Sequence, residues 1–181
     1  MAARKQSGAE LVLEDLATGF PHIPPECGTA LAQAAVLCLE GQGHSTGVRL
    51  EVEGSFTITS RVLWTMDVTE AMRRYWNDPD EIAEQGAYAI ALLLMRSLLG
   101  YTAVERAWKR TGFDWWLGPD DNRLVSKARL EVSGIMRGGM KHINSRVKVK
   151  LAQTRRSDAS GLPAYVVVVE FSTPRAKVVQ R

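Results

Sequence analysis

A chain of 181 residues and 20.0 kDa, 45% hydrophobic and 24% charged, has the size and balance of one globular domain, which excludes disorder, collagen-like repeats and mucin-like stalks. The formal net charge of +3 conceals a division: residues 1–100 hold 7 Lys+Arg against 13 Asp+Glu, a sum of −6, whereas residues 101–181 hold 16 against 7 and sum to +9. A half this basic is the electrostatic footprint of a partner carrying phosphates, or a solvated face.

The chain opens with Met-Ala-Ala-Arg-Lys-Gln-Ser, basic but without the apolar run and cleavage site of a secretory signal. Three prolines within residues 21–25 make an arm or leading loop. Leu31, Ala34, Ala35 and Cys38 recur at helical spacing over 26–39, and Gly41-Gln-Gly43 stops that helix. Cys27 and Cys38, eleven apart, have neither redox nor zinc spacing and are expected as two buried thiols. Val48, Leu50 and Val52 alternate with charged residues, Gly54-Ser turns the chain, and 56–68 is β-rich, which together reads as a hairpin. Residues 69–76 form a short amphipathic turn. A long helix follows over 80–99, with acids at its start and Gly100 at its end. Its apolar stretch, 87–95, is only about half the length needed to span a bilayer. A cytoplasmic chain with no membrane partner is expected.

Three β-like runs come next, over 101–109, 113–117 and 124–134, separated by Thr111-Gly and Gly118-Pro-Asp-Asp-Asn turns. Gly138-Gly139 opens a helix to about residue 154, with Met140, Ile143, Val147 and Leu151 as its apolar stripe and Lys141, Asn144 and Lys148 on the opposite side. Residues 164–171, with four consecutive valines, read as a strand covered on both faces. From residue 80 the order is therefore α-β-β-β-α-β.

Strand periodicity puts Asp114 and Trp116 on one face of 113–117, and Lys127, Arg129, Glu131 and Ser133 together on one face of 127–133. Asp114 and Glu131 are thus able to meet across paired strands, an unfavourable pairing unless a proton or cation is shared. A divalent ion such as Mg²⁺, which prefers oxygen ligands and keeps waters for a phosphate to displace, would satisfy both. The alternative from spacing alone is that both acids face solvent or pair with Arg129 and Arg106.

The glycines of Gly134-Ile-Met-Arg-Gly-Gly-Met-Lys, beside Arg137 and Lys141, form either an anion cradle at a helix start or a plain connecting loop. Lys148, Lys150, Arg155 and Arg156 supply charge able to follow a nucleic-acid backbone, or a solubilising face. His22, His44 and His142 have no zinc spacing, and neither a nucleophile-elbow, a Walker nor a dinucleotide motif is present. Trp64, Trp76 and Trp108 are expected in core or interface, with Trp116 on the Asp114 face, where it fills core or stacks a base.

The α-β-β-β-α-β order, the Gly-x-Asp ending at Asp114 and the Glu-x-x beginning at Glu131 resemble the PD-(D/E)xK superfamily, the restriction-endonuclease-like nucleases, over roughly residues 80–171. Gly112-Phe-Asp-Trp-Trp-Leu-Gly and Ala128-Arg-Leu-Glu-Val-Ser-Gly also resemble a motif pair of small bacterial proteins. The resemblance implies that Asp114 is the metal-binding aspartate, Glu131 the first member of the Glu-x-Lys pair, Mg²⁺ the cofactor, and DNA or RNA the partner. It also implies a further acid on the first core helix, Glu84 or secondly Glu81, both of which are alternatively helix-start acids. Where the family carries the lysine that positions the attacking water and stabilises the phosphorane, this chain has Ser133. A lysine from a neighbouring element would then serve, Lys141 by proximity, Lys127 lying too far down its strand.

The expected fold is α+β: a mixed β-sheet with flanking helices, a restriction-endonuclease-like core preceded by a helix and β-hairpin. A single domain over 1–181 comprises an N-terminal extension, 1–79, and the nuclease-like core, 80–181. Two functions follow. The first is a metal-dependent nuclease acting on phosphodiesters, in bacterial defence, with Asp114, Glu131, Lys141 and Ser133 as its catalytic set. The second is a catalytically inactive nuclease-fold subunit, a structural or binding component among the protein subunits of a larger assembly.

Overall fold

The computed structural model describes Arg4, Lys5 and residues 8–19, 23–121 and 123–181. The remaining opening residues, residues 20–22 of the proline-rich arm with His22, and Asn122 of the turn after residue 118 lie outside the described residues.

The fold is α+β, with a mixed sheet between helices. Among the described residues, nine strand segments form the sheet: β1 (Arg4–Lys5), β2 (Glu10–Val12), β3 (Val48–Gly54), β4 (Phe56–Leu63), β5 (Tyr101–Arg106), β6 (Trp115–Pro119), β7 (Ala128–Ile135), β8 (Ala164–Glu170) and β9 (Arg175–Gln180). Its order is β1-β4-β3-β9-β8-β7-β6-β5, and β2 also lies along β4, further up the same edge as β1. β5, β6 and β7 are an antiparallel meander, and β8 returns parallel to β7. β9 turns back antiparallel to β8 and pairs in parallel with β3, which joins the N-terminal hairpin to the rest of the sheet.

The helices are α1 (Pro25–Gly41), α2 (Glu70–Tyr75), α3 (Pro79–Leu99) and α4 (Gly139–Thr154), with 3₁₀ turns at Leu13–Thr18 and Arg155–Ser160. α3 starts where Asp78 Oδ1 accepts from the backbone N–H groups of Asp80 and Glu81, at 2.9 and 3.0 Å, with Pro79 in its first turn. It ends at Gly100, whose φ of 66° is the left-handed conformation glycine adopts without a steric cost. By length and composition α3 could cross a membrane, yet most of its apolar window is buried inside the fold. α1 and α3 pack on one face of the sheet and α4 on the other. The larger core draws Leu37 and Leu39 of α1, Leu50 and Val62 of the hairpin, Leu92 and Leu94 of α3, and Leu130 and Val132 of β7 into one continuous cluster, so the extension and the core share an interior. Ile143 and Val147 of α4 cover Val166 and Val168 on the opposite face. Both faces of β8 are buried, which suits its run of valines.

Cys38 is buried and Cys27 is exposed, a correction to the expectation of two buried thiols: Cys27 sits in the first turn of α1, on the wall of a surface cavity. Trp64 is buried and Trp76 partly so, whereas Trp108 is 80% exposed in the loop after β5 rather than in core.

Candidate active site

β6 and β7 pair with Trp115 opposite Leu130, Trp116 opposite Arg129 and Leu117 opposite Ala128. Just before β6, where this register ends, Asp114 comes beside Glu131. The Asp114 N–H donates to Leu130 O at 2.8 Å, and the Asp114 carboxylate then takes the place of a strand partner: Oδ2 accepts from the Val132 N–H at 2.8 Å. A donor that β6 no longer serves is thereby satisfied. The other oxygen, Oδ1, accepts from the Tyr88 hydroxyl at 3.0 Å, and that hydroxyl also lies 2.7 Å from Glu84 Oε1. Burial, then the Asp114 carboxylate, hold the Tyr88 hydroxyl above its ordinary range, so it remains a donor shared by two acids. α3 comes close enough for this because β7 carries Gly134 beneath it. A Cβ there would fall 1.9 Å from Ala83 O.

Glu131 is 1% exposed. Its Oε1 accepts from Lys150 Nζ at 2.5 Å and from Gln153 Nε2 at 3.0 Å, both on α4. Its Oε2 is buried and accepts from no donor among the described residues, and the side chain faces the Asp114 carboxylate, with which only a proton or a cation can be shared. Burial, and then the negative charge of Asp114, push the Glu131 carboxyl up to about 8 against the opposing pull of Lys150. Two carboxylates therefore compete for one place, and one of them has an oxygen to offer.

α4 runs back along β7, which sets up a ladder between them. Arg129 meets Thr154 O at 3.0 Å, Glu131 meets Lys150 and Gln153, and the Ser133 hydroxyl accepts from Arg146 at 3.3 Å. The lysine brought to Glu131 is thus Lys150 and not Lys141. Lys141 is exposed and lies nine residues earlier, about 13 Å along the helix axis from Lys150. Ser133 is buried but bonded to arginine rather than to either acid. Neither Arg129 nor Arg106 pairs with the acids: Arg129 is bonded to Leu162 O, Thr154 O and Ser157, and Arg106 stacks its guanidinium 4.9 Å from the Tyr88 ring centroid and 4.5 Å from that of Trp115.

Two clefts flank the acids and share Gln153. One, of 310 Å³, brings Asp114 together with Arg106, Lys109, Arg110 and Arg156. The other, of 610 Å³, is lined by Arg137, Arg146 and Lys150. Of the expected backbone-tracking residues, Arg137 and Arg156 border these clefts, Lys150 reaches Glu131, and Lys148 and Arg155 lie exposed nearby on α4 and the turn after it. Arg137 also donates to Gln42 Oε1 at 2.7 Å. Trp116 packs edge-on against Phe113, centroids 4.6 Å apart, and is only partly exposed.

Tyr88, Gln153 and Arg106 were not singled out as site residues from the sequence. For Gln153 a signal existed: Arg146, Lys150 and Gln153 recur at helical spacing along the edge of the stripe formed by Ile143, Val147 and Leu151. Tyr88 was hidden inside an apolar run. Among the described residues no three His, Cys, Asp or Glu side chains group as a metal centre. Mg²⁺, however, is held by one or two carboxylates together with substrate phosphate and water. The unpartnered Glu131 Oε2 beside Asp114 fits that requirement, with Glu84 joined to Asp114 only through Tyr88. No family model, curated protein or solved structure matches the chain.

Proposed function

We propose that the chain is a cytoplasmic, metal-dependent nuclease that cuts phosphodiesters of DNA or RNA at Asp114 and Glu131. What carries this reading is the carboxylate pair: Asp114 is half-buried on the wall of a cleft that also holds Arg106 and Arg156, and Glu131 is buried beside it with the Lys150 ammonium against its side chain. The succession α3-β5-β6-β7-α4-β8, with β8 parallel to β7, supports it as well, being the core order of the nucleases that the chain resembles.

Bound between the two acids, Mg²⁺ would polarise the phosphate and make a coordinated water acidic. The remaining work belongs to the chain. Tyr88 and the Val132 N–H fix both oxygens of Asp114 in orientation. Gln153 and Lys150 anchor one oxygen of Glu131 and leave the other directed at the site. Lys150 stands in for the lysine missing at position 133, holding positive charge where negative charge develops on the phosphate. Arg106 and Arg156 draw the flanking phosphates in, a contribution that weakens with salt.

The test is cleavage of plasmid DNA and of labelled single-stranded DNA and RNA with Mg²⁺ or Mn²⁺, in wild type, Asp114→Asn and Glu131→Gln. The expected result is metal-dependent cleavage lost in both variants with their melting curves preserved. Absence of cleavage in the wild type, or cleavage undiminished in both variants, contradicts the proposal and leaves the cluster as a packing device in a binding subunit.

A further inference from the structure

On the far side of Arg106 from the acids lies a second cavity, of 430 Å³, which the chemistry above does not use. Apolar residues of α1 form one wall. Trp115 forms another, and Tyr75 and Trp76 close it at the end of α2, their rings edge to face with centroids 5.0 Å apart. Tyr75 is 78% exposed, an unusual place for so large an aromatic ring. Two polar side chains of α3, Glu81 and Gln85, reach the same space. Arg106 borders both this cavity and the cleft of Asp114, and forms no ion pair among the described residues.

We infer that this cavity binds an unpaired nucleobase of the strand whose phosphate lies at Asp114 and Glu131, so that the substrate is single-stranded or locally opened nucleic acid. The inference rests on the nuclease reading and names its substrate class. Three features select this occupant. Aromatic rings offer a flat base the stacking surface it loses on leaving its own helix. A carboxylate and a carboxamide at the same wall match the amino and carbonyl groups on the edge of a base, which an apolar peptide side chain would leave unpaired. The cationic wall shared with the acid cleft sets one phosphate between the two sites, as consecutive positions on one strand require. A paired base cannot reach such a recess without leaving the duplex.

The test uses the full chain and a fluorescent single-stranded oligonucleotide, compared by anisotropy with an abasic strand of the same length and charge, in Ca²⁺ to hold cleavage back. Wild type should bind the strand with bases about tenfold more tightly than the abasic strand. Tyr75→Ala and Trp76→Ala should each erase most of that ratio while leaving abasic affinity unchanged, and Trp76→Phe should keep it. Asp114→Asn should retain the ratio while losing cleavage. Equal binding of the two strands by wild type overturns the inference even if cleavage still depends on Asp114. So does a ratio that survives both alanine substitutions. A base-dependent ratio in a protein that cuts nothing would instead uphold the cavity and remove the nuclease reading.

Discussion

Two buried charges stand two residues apart on the same face of β7, and they are treated in opposite ways. Arg129, 3% exposed, is bonded on all sides: Nε and Nη2 to Leu162 O at 3.1 and 2.6 Å, Nη1 to Thr154 O at 3.0 Å and to Ser157 Oγ at 2.7 Å. Asp158 lies 3.6 Å away, itself held by Arg181. Glu131, equally buried, keeps one oxygen unpartnered and faces a second carboxylate. Folding alone explains the first arrangement, since a buried cation with four of its five N–H donors bonded and Asp158 beside the fifth ties the turn after α4 to the sheet. It does not explain the second, where a neutral residue of the same shape would cost less. That contrast is what the proposed metal site would account for.

The contrast is broken most severely by neutralising the acids. Asp114→Asn and Glu131→Gln should reduce cleavage to background, and Glu131→Gln should melt no lower than wild type at pH 7, because a carboxamide of the same shape replaces a carboxyl that burial and Asp114 already push toward its neutral form at that pH. A large fall in melting temperature for Glu131→Gln would instead make the two clusters alike. Lys150→Met should lower the single-turnover rate by about 10²-fold or more, while Lys141→Met leaves it within twofold, about the noise of such a comparison. Equal losses in the two would return the role to the start of α4.

Arg129→Met should act on stability instead, costing about 3 kcal/mol by stranding the Leu162 carbonyl and leaving the Thr154 carbonyl only the Ser157 hydroxyl, roughly a 10 °C fall for a domain of this size. The fraction that remains folded should cut at the wild-type rate. Smallest is the effect of the peripheral cations. Arg156→Ala should weaken oligonucleotide binding a few-fold and reduce the slope of log affinity against log salt by about 1, leaving the rate at saturation unchanged.

Much of this was legible in the residues. Alternation of side chains along the two strands allowed Asp114 and Glu131 to meet but left open that both face solvent or pair with arginines, because Asp114 stands just before β6, where strand pairing no longer fixes the register. The long helix was announced by its caps, and the order of elements from residue 80 by its turns. What could not be read was which helical residue meets a strand across a layer. Ser133 suggested a lysine from elsewhere, and sequence proximity chose Lys141. The direction of α4 along β7 instead brings Lys150 to Glu131, since the helix returns toward the start of the strand it follows. Tyr88 was invisible for a related reason: a tyrosine in an apolar helix reads as filling, and only the close passage of α3 over Gly134 turns its hydroxyl toward an acid. The strand Arg175–Gln180, after Pro174, is short and only weakly alternating, and its place between β8 and β3 depends on partners distant in sequence.

The most direct measurement is Mn²⁺ binding by electron paramagnetic resonance, on the full chain with a phosphorothioate oligonucleotide that resists cutting. Wild type and Lys141→Met should bind the ion with the same affinity, and Asp114→Asn and Glu131→Gln should lose it. Binding that persists in both acid variants, or none in the wild type, would contradict the division of labour between the two buried charges of β7.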